Sequence, residues 1–168
     1  MKSLQFCLAG GNVMRYHTHA HTARHQTVAE HSFRAYHVAM YLTDGDVTPN
    51  VVHELLHHDV AEAYTGDTPY PAKRSSSSLK KALDKLEASK RTEYNLYFPI
   101  SKADEKFVKL CDMVEMGLYA TEQVEAGAKQ YQGVVDNVLE WLDLTTHSLD
   151  ADIALRLQKL YNYMRTVK

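Results

Sequence analysis

Apolar residues recur along this chain at helical spacing, and no run of β-branched residues alternates with a period of two. Thr27-Val28-Ala29-Glu30 reads as a capping box that opens a helix with Ala35, Val38 and Leu42 on one stripe, fading at the Asp44-Gly45 turn. Thr48-Pro49 starts a second helix, with proline at the first position where its missing N–H costs nothing. That helix is expected to end near Tyr64, before Gly66, and Pro69 and Pro71 then predict a loop. The serine run 75–78 leads into a third helix from about Leu79 to Tyr94. Ser101 caps a long fourth helix reaching Ala126, where Gly127 serves as the left-handed stop. A fifth, Val134 to Leu144, shows Val135, Val138, Leu139 and Leu142 on one side, and a sixth carries Ile153, Leu157, Leu160, Tyr161 and Met164. The expectation is an all-α bundle of about six helices, one domain over residues 1–168, without repeats or a dividing linker.

Composition narrows the function. The chain has 168 residues, 45% hydrophobic and 24% charged, a globular profile that buries roughly 70% of the unfolded surface without staples. With 19 Lys+Arg against 21 Asp+Glu the net charge is −2, so no domain-wide basic excess exists to hold a nucleic-acid polymer. Cys7 and Cys111 alone supply neither a disulfide framework nor a thiolate zinc site. Met1 to Ala9 is too brief and polar for a secretory leader, and no stretch approaches the roughly 18 apolar residues of a membrane span. A cytoplasmic protein is expected. The unusual feature is ten histidines, nine of them crowded between His17 and His58.

Two metal motifs overlap on the second helix, His53-Glu54-Leu55-Leu56-His57-His58-Asp59-Val60-Ala61-Glu62. His53-Glu54-x-x-His57 has the spacing of zinc proteases, two imidazoles one turn apart with the glutamate as base. Its context is poor, since Val60 and Ala63 stand where the extended motif needs Gly and His, and no strand offers a substrate edge. The other reading takes His58 and Asp59 as neighbouring ligands about 100° apart on a helix, completed by other helices. His31 shares the stripe of Ala35, Val38 and Leu42, and Asp112 lies four residues from both Val108 and Met116. A carboxylate on such a stripe is costly to bury unless paired or metal-bound, although Lys109 offers a simple ion pair.

The ordered set Glu30-His31-Ser32, Leu56-His57-His58-Asp59-Val60-Ala61-Glu62, Thr65-Gly66-Asp67-x-Pro69 and Asp112 resembles the HD-domain phosphohydrolases. The likeness is greatest to the branch of bacterial 5′-deoxynucleotidases and phage dATP triphosphohydrolases, and it spans roughly Arg15 to Glu125. The resemblance implies His31, His58, Asp59 and Asp112 as metal ligands and Glu62 as the catalytic carboxylate. Asp67 becomes its partner in positioning water or protonating the leaving group. Arg15 with Tyr16 is similar to the Arg-aromatic pair that holds phosphate and nucleoside in this branch, with Trp the common aromatic there, and His17 adjoins it. Arg24, Lys73 and Arg74 become phosphate contacts, although Arg24 could be a surface charge and Lys73, Arg74, Lys80 and Lys81 a solvated loop and helix start. Glu30 needs no role beyond its cap; Tyr131, Trp141 and Tyr161 read as core.

These residue types suit phosphate-ester cleavage, in which a divalent ion neutralises oxygens and acidifies water while a carboxyl with a raised pKa handles a proton. Mixed imidazole and carboxylate ligation favours one transition metal, Zn, Co or Mn, with Mg accompanying substrate phosphates. The expected reaction is hydrolysis of a small-molecule deoxynucleotide at its α-phosphorus, the nucleoside leaving through its 5′ oxygen. A triphosphate would release triphosphate and a monophosphate phosphate; the short chain and basic loop lean toward the dATP triphosphohydrolase, in the host cytoplasm if phage-encoded. Neither a membrane nor a nucleic-acid polymer is an expected partner. The rivals are the metalloprotease and a non-catalytic helical binding domain, against which Glu62 and Asp67 both count. Broad apolar faces on the fifth and sixth helices predict a homo-oligomer.

Overall fold

The computed structural model describes residues 1–146 and 149–167. Its architecture is all-α, with one two-residue ladder. Helix α1 spans Lys2–Gly11, α2 Val28–Leu42, α3 Pro49–His57, α4 Glu62–Thr65 and α5 Tyr70–Ser75. Helix α6 spans Ser77–Glu93, α7 Lys102–Glu125, α8 Gln132–Thr145 and α9 Ala151–Met164.

The expected helix starts are where the caps put them. The Thr27, Thr48 and Ser101 hydroxyls accept from the N–H groups of Glu30, Val51 and Asp104, satisfying donors that have no partner inside the helix. Only half of the capping box forms: the Glu30 carboxylate turns outward to Arg24. Gly127, with φ +96, ends α7 in the left-handed region.

Helix α7 is the axis of the core, buried along Val108, Cys111, Val114, Tyr119 and Val124 and surrounded by α2, α3, α8 and α9. The apolar stripes of α8 and α9, including Val135, Val138, Leu142, Leu157 and Met164, are buried within this chain. Leu139, Ile153, Leu160 and Tyr161 of the same faces pack against the core half-buried, while Leu144 and Leu155 stay exposed.

Four local features depart from the expected pattern. Helix α1 was not legible, because its single buried large side chain, Phe6, gives no stripe; Phe6 stacks on Tyr94 at 4.0 Å and joins Val60, Ala61 and Leu96 in a second small core. Strands β1 (Met14–Arg15) and β2 (Gln26–Thr27) pair antiparallel, Arg15 opposite Gln26, and are too short to show a period. The segment 70–75 is helical, Pro71 sitting in its first turn. Most consequential, the second predicted helix stops at His57. Bonds from Val60, Glu62, Ala63 and Tyr64 N–H reach three residues back, the tighter 3₁₀ winding. His58 and Asp59 thus sit on a sharp turn. Among the described residues no helix is long and apolar enough to cross a membrane.

Candidate metal centre and active site

Three elements converge on one point. His31 comes from the first turns of α2, His58 and Asp59 from the turn after α3, and Asp112 from the middle of α7. The His31 Nε2 lies 3.3 Å from His58 Nε2 and 3.2 Å from Asp112 Oδ1. Asp59 Oδ2 stands 3.7 Å from His31 Nε2 and 3.5 Å from His58 Nε2. The ligand atoms of His31, His58 and Asp112 all lie within 4.8 Å of one another. Asp59 sits at the edge of this group because its Oδ2 also accepts from Arg15 at 2.7 Å. Asp112 satisfies both readings of its position, one oxygen facing His31 and the other accepting from Lys109 Nζ at 2.6 Å.

The chemistry of the donor set fits a cation. His58 Nδ1 faces the Leu55 carbonyl oxygen at 3.0 Å, which can only accept, so Nδ1 carries the proton and Nε2 of the neutral ring a lone pair. His31 Nδ1 faces a carboxylate oxygen of Glu115 at 2.5 Å. Two imidazole nitrogens and a carboxylate aimed at one point repel each other unless a positive charge lies between them. The same pressure acts on protonation. Burial and the Arg15 guanidinium both disfavour charge on His31, but bonds to Asp112 and Glu115 outweigh them and lift its pKa to about 9. Burial alone would raise Asp112; the His31 bond, Lys109 and the imidazoles hold it well below the carboxylate range.

Glu62 opens α4, 4% exposed, with its Oε2 unpartnered among the described residues. Burial, then the charges of Asp59 and Asp67, push its pKa up to about 9. Lys73 Nζ approaches its Oε1 at 3.9 Å. Asp67 Oδ2 accepts from the Tyr16 N–H at 3.1 Å, tying the turn around Gly66 to β1. Arg15 is buried, and the β1–β2 ladder aims it at Asp59. These are the sequence-predicted residues brought together.

Others lie apart. The Tyr16 ring, in a left-handed backbone at φ +57, stacks on Tyr119 at 5.0 Å and packs against the core, with one face thus occupied. The Arg24 guanidinium bonds Glu30 and Glu122, two carboxylates that already neutralise it. His17 and Arg74 are exposed. The protease motif dissolves: Glu54 is clamped by both terminal nitrogens of Arg91 at 2.8 and 2.5 Å, and His53 packs between His57 and Phe98 at 4.1 and 3.7 Å. A base held by an arginine and two rings stacked on each other leave that triplet no open site.

Sequence reasoning missed Glu115, fully buried on α7 and bonded to His31, Gln26 and Arg34. Its signal was available: three residues after Asp112, it falls between Cys111 and Tyr119, both fully buried, at four-residue intervals on the same face.

The comparisons agree with this geometry. A search of the curated proteins finds no match. Among solved structures, the chain is similar to the cyanophage S-2L HD phosphohydrolase DatZ bound to dA and one catalytic Zn²⁺ ion. The identity is 22%, the alignment covers 97% of this chain and 95% of that one, and the TM-score is 0.69, a likeness of fold. The model of the HD domain family matches residues 12–143, the span that carries His31, the His58-Asp59 turn and Asp112, and the chain belongs to that family.

Proposed function

We propose that this chain is a metal-dependent phosphohydrolase acting on the 5′-phosphate ester of a deoxynucleotide. The observation that carries the reading is the convergence of His31, His58, Asp59 and Asp112 beside Glu62, a buried carboxyl with one unpartnered oxygen. The DatZ neighbour, bound to a deoxynucleoside and zinc, supports the same class of ligand and metal. What a divalent ion (Zn, Co or Mn) supplies at such a site is neutralisation of phosphate charge and a more acidic water.

The protein's own groups do the rest. Glu62 exchanges a proton with the attacking water or the departing 5′ oxygen, a role that needs a pKa lifted well above an ordinary carboxyl's. Asp67 is its partner, held by the Tyr16 N–H. Arg15, anchored on Asp59, and Lys73, beside Glu62, bring positive charge to the phosphate. Cleavage breaks the bond between the α-phosphorus and the 5′ oxygen, yielding deoxynucleoside plus the phosphate chain.

The leading substrate is a triphosphate, dATP, giving deoxyadenosine and triphosphate. A monophosphate is the second reading, favoured by the pairing of Lys80 with Asp84 at 2.5 Å, which leaves Lys73 as the cation beside Glu62. Incubation with dNMPs and dNTPs under each metal, with products separated by chromatography, tests both. Triphosphate release from dATP supports the first and phosphate release from dAMP the second. No deoxynucleoside from any substrate, in protein shown by metal analysis to be loaded, overturns the proposal.

A further inference from the structure

Buried beneath the metal cluster is a carboxylate that touches no ligand atom facing the centre. Glu115 projects from α7 into a space closed by β2 and α2. Its Oε1 accepts from Gln26 Nε2 at 2.8 Å and Arg34 Nε at 2.6 Å, and its Oε2 faces His31 Nδ1 at 2.5 Å. The Gln26 amide has its nitrogen toward Glu115, since the reverse orientation would set two acceptors against each other. Arg34 is held from its far side by Glu122, through both terminal nitrogens at 3.0 and 2.7 Å. Arg34 is therefore an obligate donor, Gln26 donates in the orientation that Glu115 selects, and the third neighbour is an imidazole whose proton can sit on either nitrogen.

We infer that Glu115 is a positioning residue for His31, an acceptor-only group that keeps the imidazole proton on Nδ1 and so turns the Nε2 lone pair toward His58 and Asp112. This inference rests on the metal reading above. A carboxylate suits the place because every neighbour donates. Glutamine there must turn its NH₂ either to Arg34, opposing donor to donor, or to His31. The second arrangement draws the proton to Nε2, where it blocks a metal. A fixed ring orientation and greater ligand basicity are what such an outer carboxylate contributes, and its loss typically costs 10–100-fold in metal affinity.

The test measures zinc dissociation constants by chelator competition for the wild type, Glu115→Gln and Glu122→Gln, with ¹⁵N–¹H spectra assigning the protonated nitrogen of His31. Glu115→Gln is expected to bind zinc about 10–100-fold more weakly. Glu122→Gln, which touches Arg34 but not His31, should bind as the wild type does. The zinc-loaded wild type should carry the His31 proton on Nδ1, a readout that stands even if Glu115→Gln fails to fold. A folded Glu115→Gln with wild-type affinity, or a wild-type His31 bound to zinc through Nδ1, overturns the inference and leaves the metal site standing. A wild type that binds no zinc brings down the metal reading and this inference with it.

Discussion

The last turn of α1 lies so close to the backbone following Asp59 that Gly10→Ala should disturb both stability and the candidate metal site. A Cβ at residue 10 would stand 2.4 Å from the Val60 carbonyl oxygen, 2.9 Å from its Cα and 3.0 Å from its carbonyl carbon. These are backbone atoms of the 3₁₀ turn, which cannot swing aside as a side-chain tip does, so α1 must retreat by about 1 Å to restore ordinary contact. Overpacking of this kind costs about 1–3 kcal/mol, and a rigid obstacle points to the upper end. Replacing glycine in a helix returns at most about 1 kcal/mol. The net loss is about 2 kcal/mol, or about 4–8 °C in Tm for a chain of this size. Retreat of α1 also loosens the Phe6–Tyr94 stack and the packing of Val60 and Ala61, which hold the turn carrying His58 and Asp59. Thermal melts in chelator, followed by zinc titration, are the assay. Gly133→Ala is the control, because nothing lies within 4 Å of its added carbon, and its Tm should hold or rise. A Tm for Gly10→Ala no lower than wild type refutes the packing argument, and a lowered Tm with unchanged zinc affinity refutes the link between α1 and the site.

Glu62→Gln should lower turnover by about 10²–10⁴-fold. In chelator it should also remove a pH dependence: because burial and the Asp59 and Asp67 charges raise the Glu62 pKa from 4.5 to about 9 on folding, wild-type stability relative to the variant is fullest below pH 4.5 and falls as pH climbs through 9. Urea melts at pH 5, 7 and 9 read this difference, and a constant gap between the two proteins would sink the assignment of the shift. Asp112→Ala should abolish tight zinc binding, whereas His53→Ala should spare both metal and turnover. Glu54→Gln, which weakens the Arg91 clamp, should cost about 1–2 kcal/mol in urea without touching zinc affinity; the opposite pattern would restore the protease motif.

Most of the helical frame was legible because its signals are local. Threonine and serine caps, a proline at a first turn, a glycine stop and apolar stripes act within four residues of themselves, so α2, α7, α8 and α9 begin and end, and α3 begins, close to where those residues stand. The buried histidine of α2 and the carboxylate of α7 could be singled out for the same reason, since burial of a polar group on an apolar stripe is read from helical periodicity. Placing them in a candidate metal site needed the resemblance, which supplied the pairing of residues from three elements.

Tertiary structure decided the rest. The chain after His57 tightens where α1 packs against Val60, a contact between segments about fifty residues apart that no local pattern encodes. The fates of Arg15 and Arg24 show the same division: two arginines nine residues apart, one aimed inward at Asp59 by a two-residue ladder, the other neutralised by Glu30 and Glu122. Glu115 takes its meaning only from donors that β2 and α2 bring to it. Local hydrogen bonding and periodicity determine the elements, whereas electrostatic partnership depends on distance through space, which exists only once the helices have docked.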